Sequence, residues 1–397
     1  MTIKLLVIDS TVIANSTSSE LSDLEDVCAK LVQEGVQLAL VSTNNQGMRS
    51  ATNKDAQISF SASLSGEEVL GRPYNKFKGG AVRIESVCNV LGIAPHTTLY
   101  LGDDNFDYTS ALHAGALFIQ ARWVKHDPNV DCVCATQPSD VWRYASHYLI
   151  HAPRWTFSLD APQHRFSLRA LLSANTLSNT LFLPGNPPIN RYTLIELLKD
   201  QNGAQCGQSS SAAILFLHAM TSAKLEGIIP PYSTIAVYPS SQPGHTNPVI
   251  NEMSQLASHQ FMGQFHRDLI IRAVQAPKSR ANKLNGTDNY LTQTNTVHLN
   301  PGKSGAIEGK TVVVFDDFHT TGKSLDWARN LLTAAGARQV VAIALGKFGG
   351  SSKPHGFYLP TSASIITPYT LKTYTDADFS SVDQHLTQSP SVLDILG

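Results

Sequence analysis

The sequence predicts an α/β protein in two parts, each built around a parallel sheet. Short apolar runs rich in Val, Ile and Leu alternate with amphipathic segments over residues 1–125, and a second alternating block begins near residue 233. Apolar runs of this length suit strands that crossover helices cover on both faces. The length of 397 residues also agrees with two or three domains.

The first block alternates strands and helices in a doubly wound pattern. Its predicted strands are 3–9, 36–42, 98–103 and 116–121, and its predicted helices are 20–34 and 79–92. In the helix 20–34, apolar residues recur at helical spacing, and Gly35 follows as a C-terminal cap. Residues 126–160 carry turn signals and then a helical pattern, so the boundary of this part is expected between about 145 and 165.

The second block follows a segment, 161–230, whose pattern is typical of helices interrupted by a loop. Its predicted strands are 233–241, 269–274, 311–317 and 339–346, and its predicted helices are 247–258 and 324–335. Between residues 275 and 310 lies a long polar stretch. Loops of that length in compact domains are typically lids or binding loops.

Composition and charge exclude several classes of protein. Thirty Lys and Arg against 31 Asp and Glu leave a net charge of -1, so no global field attracts nucleic acid or anionic lipid. No apolar run reaches the ~18 residues that a membrane span needs, and the start, MTIKLLVIDST, lacks the features of a signal peptide. Five irregularly spaced cysteines argue against a disulfide framework. The expected location is the cytoplasm, with no membrane partner.

Residues 311–324, TVVVFDDFHTTGKS, carry the strongest chemical pattern in the chain. An apolar strand ends in two carboxylates, Asp316 and Asp317, and a small polar loop then opens a helix. Backbone N–H groups of such a loop and a helix N-terminus hold a phosphate dianion, and Gly322 allows the close approach this needs. The two acids can accept hydrogen bonds from a ribose diol, directly or through Mg²⁺. The pattern predicts a sugar-phosphate site at the carboxyl edge of a sheet.

This stretch resembles the signature of type I phosphoribosyltransferases, which use phosphoribosyl pyrophosphate (PRPP). The resemblance covers roughly residues 155–350 and is nearest to the competence-protein-F-like branch, because KSRAN (278–282) lies in the long loop before the signature. It implies that Asp316 and Asp317 act in catalysis by binding the ribose hydroxyls. The residues that it implies for binding phosphate or pyrophosphate are Thr320, Thr321, Gly322, Lys323, Ser324, Ser240, Ser241, Lys278 and Arg280.

Two features qualify this resemblance. Segment 275–305 would form a hood that closes over the reaction, but the loop between Tyr238 and Met253 has no Arg or Lys for an anionic leaving group. The segment after Lys347 does not identify a base. The acid pair favours an enzyme, and the loop without cations favours a binding protein.

Four features of residues 1–125 follow the order found in haloacid dehalogenase-like (HAD) hydrolases. They are a strand with an acid (LLVIDST), a strand with a hydroxyl (LVSTNNQ), a basic segment (YNKFKGG) and an acid cluster (YLGDDNFD). The Mg²⁺ ligands that the resemblance implies are Asp9, Asp103, Asp104 and Asp107. It also implies phosphoryl contacts from Ser42 or Thr43 and from Lys76 or Lys78, and we assign Thr43 to binding and Lys78, with Asp9, to catalysis.

The first HAD motif departs from the family pattern D-x-D-G-T. If Asp9 is the nucleophile, Thr11 stands at the acid/base position; if Asp9 is the acid/base, Val7 stands at the nucleophile position. Either way one carboxylate is absent, and a methyl or hydroxyl group does not replace it. Threonine at the acid/base position occurs in slow or phosphonate-type members, so the sequence predicts poor phosphatase turnover. The alternative is a retained scaffold that binds a phosphorylated ligand or a partner.

Together the resemblances imply a HAD-like domain over 1–150 and a phosphoribosyltransferase-like domain over 155–397. The arrangement is similar to proteins predicted in bacterial tellurium-resistance operons, which are linked to stress. The predicted activity is Mg²⁺-dependent transfer of phosphoribose between PRPP and a nucleobase or nucleotide acceptor, in either direction. The alternative is a non-catalytic sensor of PRPP or a nucleotide. A homo-oligomer and an operon-encoded partner both stay open.

Overall fold

Two structural units make up the chain. The computed structural model describes residues 2–54, 56–71, 79–128, 130, 132–150, 155–173, 210–276, 291–320, 322–348, 357–360, 368–371, 379–382 and 386–387. Unit 1 comprises residues 1–153 with segments 221–231 and 259–262, and unit 2 comprises residues 154–220, 232–258 and 263–397.

Unit 1 is organised around a six-stranded sheet in which every pair of neighbouring strands is parallel. Its strands are β1 (Leu5–Asp9), β2 (Gln37–Ser42), β3 (Ala62–Ser65), β4 (Thr98–Gly102), β5 (Leu117–Ala121) and β6 (Val133–Ala135). They lie in the order β3-β2-β1-β4-β5-β6. The order reverses beside β1, so the carboxyl ends of β1, β2 and β4 surround a topological switch point, where open α/β sheets bind ligands.

Helices connect these strands. They are α1 (Ser10–Asn15), α2 (Ser18–Gln33), α3 (Asn45–Thr52), α4 (Gly66–Leu70), α5 (Val82–Leu91), α6 (Asn105–Ala114) and α7 (Pro138–Tyr144). Several begin at a side-chain cap: Thr17 and Glu20 form a capping box at α2, and Asp9 caps α1 by accepting from the Thr11 N–H. The strand and helix pattern of the N-terminal block, with a parallel sheet, is confirmed.

The central strands of unit 1 are buried on both faces. Every residue of β1 and β4 is buried, and Leu5 and Val7 of β1 pack in one core with residues of α5 and α6. Burial on both faces accounts for the continuous apolar runs, because helices cover a parallel sheet on each side. Asp9 ends β1, and Asp103 directly follows β4.

Unit 2 contains a seven-stranded mixed sheet. Its strands are β7 (Phe157–Ala161), β8 (Phe166–Ser173), β9 (Thr234–Val237), β10 (Gln264–Phe265), β13 (Thr311–His319), β14 (Gln339–Lys347) and β17 (Leu386–Thr387), in the order β10-β9-β13-β14-β8-β7-β17. The pairs from β10 to β8 are parallel, whereas β7 pairs antiparallel with β8 and β17. Two-stranded pieces join β11 (Ile270–Arg272) to β12 (Val297–Leu299) and β15 (Phe357–Pro360) to β16 (Phe379–Val382).

The helices described in unit 2 and at its border are α8 (Ser210–Leu225), α9 (Pro248–Gln260), α10 (Leu291–Thr294) and α11 (Lys323–Ala334). One sequence-based expectation was wrong here. Residues 166–173 form strand β8 and not a helix, because pairing with β14 and β7 overrides the helix preference of a leucine-rich segment. The predicted strand at 269–274 is present over residues 270–272, where it pairs antiparallel with β12.

The structure also bears on membrane-spanning helices and on the cysteines. Over the described residues, no helix has the length and apolar character that crossing a bilayer requires. Cys28, Cys88, Cys132 and Cys134 carry free thiols.

Candidate active site

Three acids meet at the carboxyl ends of β1 and β4. Asp9 is the last residue of β1, Asp103 directly follows β4, and Asp107 lies in the first turn of α6. Their carboxylate oxygens fall within 4.8 Å of one another, and all three residues are buried. The sheet therefore brings together, from positions up to 98 residues apart, three of the four acids that the resemblance implied as ligands.

A buried arginine is bound to two of these acids. Arg83, in the first turn of α5, is 3% exposed, and its Nη1 lies 2.7 Å from Asp9 Oδ2 and 2.8 Å from Asp107 Oδ1. Its Nη2 donates to Thr43 Oγ1 at 3.0 Å. Sequence analysis missed Arg83. The signal was present: position 83 lies four residues before Val87 on the apolar face of the helix, where a charged residue needs a buried partner.

A buried tyrosine completes this side of the cluster. The Tyr100 hydroxyl lies 3.1 Å from Asp9 Oδ2, 3.0 Å from Asp107 Oδ1 and 2.8 Å from Arg83 Nη1. The ring is fully buried in the core. The Tyr100 hydroxyl therefore accepts a hydrogen bond from Arg83 and donates its proton to Asp9 or Asp107. These bonds hold the two carboxylates in place.

The other oxygen of Asp9 faces a threonine. Asp9 Oδ1 accepts hydrogen bonds from the Thr11 N–H at 2.9 Å and from Thr11 Oγ1 at 2.6 Å. The same hydroxyl lies 2.6 Å from Asp103 Oδ1. Thr11 thus stands between Asp9 and Asp103, with the residue itself exposed.

The remaining predicted residues of this site have different positions. Thr43 reaches the cluster through Arg83, whereas Ser42 is buried and accepts from Ser10 at 2.9 Å. Asp104 is not among the three clustered acids, because its Oδ1 caps α6 by accepting from the Phe106 and Asp107 N–H groups. The predicted Lys76 and Lys78 lie outside the described residues.

The electrostatics of the cluster favour a cation. Burial, and next the Asp9 charge, raise the pKa of Asp107 well above its ordinary value, against the opposing effect of Arg83. Burial also raises the pKa of Asp103, while the Thr11 hydrogen bond opposes this. Burial lowers the pKa of Arg83, but Tyr100, Asp9 and Asp107 raise it by more. The guanidinium therefore stays protonated. Three carboxyl groups therefore share one guanidinium, and a further cation at the cluster would stabilise their ionised forms.

The donor set fits a divalent cation such as Mg²⁺. Thr11 Oγ1 lies 2.6 Å from Asp9 Oδ1 and 2.6 Å from Asp103 Oδ1, so three oxygen atoms converge at this point. Mg²⁺ takes one or two carboxylates plus water and substrate oxygens. Arg83 holds the opposite oxygens, Asp9 Oδ2 and Asp107 Oδ1. The residues present therefore match a small hard cation on the Thr11 side of Asp9.

Gly102 makes room for Asp107. A Cβ atom at position 102 would lie 2.5 Å from Asp107 Cβ and 2.6 Å from Asp107 Oδ2. We expect Gly102→Ala to displace Asp107 from Arg83 and to destabilise the protein by about 1–3 kcal/mol, measured as a lower Tm. Gly305→Ala is the control, because nothing lies within 4 Å of a Cβ there. Equal Tm values for the two variants would contradict this account.

The second predicted site lies on β13 and the loop after it. Asp316 and Asp317 lie within β13, which continues to His319, and Asp317 Oδ1 accepts from the Phe318 N–H at 2.7 Å. Asn247 Nδ2 donates to Asp317 Oδ2 at 3.4 Å. Gly322 has φ of 77° and caps α11, which Lys323 and Ser324 begin. Thr320 precedes this turn, and Thr321 lies outside the described residues.

A buried arginine contacts the loop after β9, where the sequence offered no cation. Arg272 Nε donates to the Ser240 carbonyl at 2.5 Å, and its Nη1 donates to Thr296 at 2.6 Å. Ser241 accepts from the Ala276 N–H through its carbonyl. Lys278 and Arg280 lie outside the described residues. The predicted phosphate-binding role of this loop and of residues 320–324 stays a prediction.

The part of the chain that matches a known family lies in unit 1. Residues 4–121 match the family model described as haloacid dehalogenase-like hydrolase. No curated protein matches the chain significantly. Solved structures with similarity include a HAD-superfamily hydrolase of subfamily IA from Geobacter sulfurreducens (13% identity, TM-score 0.27, covering 36% of this chain and 96% of that one). A HAD-superfamily hydrolase from Ehrlichia chaffeensis has the same values.

CbbY from Rhodobacter sphaeroides, solved in complex with phosphate, shares 16% identity at a TM-score of 0.25. The similarity covers 29% of this chain and 53% of CbbY, so the chain spans about half the length of that protein. It likewise spans 52% of a Lactobacillus delbrueckii protein. At these identities and TM-scores the structures add no argument of their own, and the assignment depends on the family model.

The predicted phosphoribosyltransferase activity is wrong. The family model that matches residues 4–121 is that of a hydrolase and not of a transferase. None of the comparisons supports a fused phosphoribosyltransferase domain or PRPP binding. The strand, loop and helix around Asp316 are a local geometry that many α/β proteins share, and a local motif does not determine an activity. The N-terminal part of this chain is a haloacid dehalogenase-like hydrolase domain.

Proposed function

We propose that the N-terminal domain transfers phosphoryl groups from phosphorylated substrates to water through Asp9, with Mg²⁺ as cofactor. The observation that carries the proposal is the position of Asp9, whose carboxylate ends β1 and is held between Arg83 and Thr11. Asp103 and Asp107 lie within 4.8 Å of it. A carboxylate fixed in this way at a strand end can act as a nucleophile.

The neighbours of Asp9 favour this role over that of an acid/base. Val7, the alternative nucleophile position, is fully buried and packs in the core with Leu5 and Val41. It lies two residues inside the strand, so a side chain at position 7 is separated from the sheet edge by Asp9 itself. Asp9 is thus the carboxylate of the first motif that lies at the site.

The residues around Asp9 would position it, bind the phosphoryl group or hold Mg²⁺. Arg83 and Tyr100 hold Asp9 Oδ2 and so fix the orientation of the carboxylate that would attack phosphorus. Thr43, bonded to Arg83, supplies a hydroxyl for a phosphoryl oxygen. Asp103 and Asp9 would hold Mg²⁺, which neutralises charge on the phosphoryl group when bound. Thr11 occupies the acid/base position without a carboxylate, so turnover is expected to be slow.

The test uses the full-length chain with Mg²⁺ and p-nitrophenyl phosphate. Asp9→Asn is expected to lower hydrolysis by roughly 10³-fold or more, as removal of a nucleophile does. Acid-quenched wild type should carry a phosphoryl group on the peptide that contains Asp9, detected by mass spectrometry.

The matched control is Asp23→Asn, which makes the same chemical change at an exposed position of α2. It should leave hydrolysis at the wild-type rate. Hydrolysis that survives in Asp9→Asn, or a phosphoryl group on another peptide, would overturn the proposal.

A further inference from the structure

Two cysteines lie side by side at the edge of the sheet of unit 1. Cys134 belongs to β6, the edge strand of this sheet, and Cys132 directly precedes that strand. Residues two apart along a strand point to the same face of the sheet. The Cys132 and Cys134 side chains hydrogen-bond to each other, and Cys134 Sγ also donates to the Cys132 carbonyl at 3.2 Å. The chemistry proposed for Asp9 uses neither thiol.

This pair is partly exposed, whereas the other thiols of the described residues are buried. Cys132 and Cys134 are both of intermediate exposure, and Cys28 and Cys88 are 2% and 1% exposed. A reagent that reacts with a thiol must reach its sulfur atom. Reagents from solvent therefore have access to the pair, while the core shields the two buried thiols.

The hydrogen bond between the two thiols makes them chemically unequal. That hydrogen bond, then burial and the negative charge of Cys134 raise the pKa of Cys132. Cys132 therefore keeps its proton and donates it towards an ionised Cys134. Because the thiolate is the nucleophile in thiol–disulfide exchange, we assign the first attack to Cys134.

A positive charge next to the pair supports this ionisation. Arg122 Nε donates to Gln120 Oε1 at 3.0 Å, and the same oxygen accepts from Cys134 Sγ at 3.7 Å. The charge of Arg122 acts on the pair directly, since it opposes the rise in the pKa of Cys132. A neighbouring arginine stabilises a thiolate and is typical of reactive cysteines.

The backbone at Cys132 allows the two sulfur atoms to approach each other. An extended strand places the Cα atoms of residues i and i+2 about 6.6 Å apart, near the upper end of the ~4.4–6.8 Å that a disulfide spans. The pairing of β6 with β5 begins at Val133, which lies opposite Ile119. Because Cys132 lies before this first pair, it can move towards Cys134 while the ladder of β6 stays intact.

We propose that Cys132 and Cys134 are a redox-active pair, which low-molecular-weight disulfides such as glutathione disulfide oxidise reversibly to an intramolecular disulfide. The bond would close a ring of three residues, in which the chain cannot keep the full spacing of an extended strand. A strained and exposed disulfide is readily reduced again. The chemistry therefore fits a reversible redox site and not a structural crosslink.

The reaction takes place in two exchanges. The Cys134 thiolate attacks one sulfur of glutathione disulfide, the S–S bond of the reagent breaks, and one glutathione leaves as a thiolate. Cys132 then loses its proton and attacks Cys134 Sγ in the mixed disulfide, so that the second glutathione leaves as a thiolate. The pair loses two electrons and two protons, and glutathione disulfide gains them as two molecules of glutathione.

The test exposes the reduced, full-length wild type to glutathione disulfide. The chain is then unfolded in acid, its remaining thiols are blocked with N-ethylmaleimide, and it is digested with trypsin without reduction. Cleavage after Lys125 and Arg143 gives a peptide, 126–143, whose only cysteines are Cys132 and Cys134. Mass spectrometry should show this peptide two hydrogen atoms lighter than the dithiol and without blocking groups.

The buried cysteines serve as the internal control, because the peptides that contain Cys28 and Cys88 should carry the blocking group. An excess of reduced glutathione should restore both thiols of peptide 126–143. The wild-type measurement needs no variant. A peptide 126–143 that keeps both thiols, that carries two glutathione adducts, or whose disulfide resists reduced glutathione would overturn the proposal.

A variant separates the two steps of the exchange. Cys132→Ala should accumulate a glutathione adduct on Cys134, because the second thiol that would release it is absent. Cys28→Ala is the matched control, with the same change at a cysteine outside the pair, and it should form the disulfide of the wild type. An unmodified Cys134 in folded Cys132→Ala would show that Cys134 is not the attacking thiol.

Discussion

Arg83→Gln is expected to destabilise the protein by about 3–5 kcal/mol, the usual cost of removing one partner of a buried ion pair. Arg83 is the cation bound to Asp9 and Asp107, and both acids are buried at 2–3% exposure. Without it, the two carboxylates face each other and Asp103 with no guanidinium to offset their charge. Tm in the absence of divalent cations is the measurement.

Added Mg²⁺ should restore part of the lost Tm in Arg83→Gln, because a cation in the acid cluster offsets the same charge. The gain in Tm on adding Mg²⁺ should be larger in Arg83→Gln than in the wild type. Arg83→Lys is the control, since it retains the positive charge while losing the fork geometry, and it should lie between the two. A Tm for Arg83→Gln equal to that of the wild type would show that Arg83 does not hold the cluster together.

Lys224→Met is expected to stabilise the protein at pH 7 by about 2–4 kcal/mol. Lys224 is 2% exposed, and burial lowers its pKa from 10.5 to about 7. Its Nζ has no hydrogen-bond partner among the described residues and lies 5.1 Å from the centre of the Phe261 ring. Between pH 7 and 10.5 the unfolded chain therefore binds a proton that the folded chain does not.

The pH dependence of the free energy of unfolding follows from that difference in bound protons. A group whose native pKa is lowered in this way makes unfolding less favourable as the pH rises from about 7 towards 10.5. The free energy of unfolding should rise over this range by a larger amount in the wild type than in Lys224→Met, as measured by urea unfolding at several pH values. Lys30→Met, on the exposed part of α2, is the control. Parallel pH profiles for the wild type and Lys224→Met would contradict the buried, uncharged lysine.

The acids of the N-terminal site could be predicted because their order along the chain resembles the motif order of haloacid dehalogenase-like hydrolases. Continuous apolar runs also indicate the buried parallel strands, and residues directly after such strands lie at one edge of the sheet. The resemblance assigned Asp9 and Asp103 to one site although 94 residues separate them in the chain. Asp104 was indistinguishable from Asp107 by type, because only the helix geometry decides which acid caps α6 and which turns towards the sheet.

What the sequence did not reveal depends on tertiary pairing. Arg83 is one basic residue among many until α5 packs on the sheet and turns it towards Asp9. The segment that forms β8 is rich in leucine, which favours a helix. It is a strand because it pairs with β14 on one side and with β7 on the other. The motif around Asp316 predicted the strand, the turn and the start of the helix that follow one another there. It did not determine the activity, because the same local geometry occurs in α/β proteins with different functions.

The order of strands in unit 1 also affects how the site forms during folding. Asp9 and Asp103 meet only after β1 has paired with β4, although β2 and β3 intervene in the chain. Such long-range parallel pairing closes a large loop and is slow compared with local helix formation. A fragment that ends before β4 therefore lacks the strand whose end brings Asp103 and Asp107 to Asp9. The three acids come together only when β4 has paired with β1.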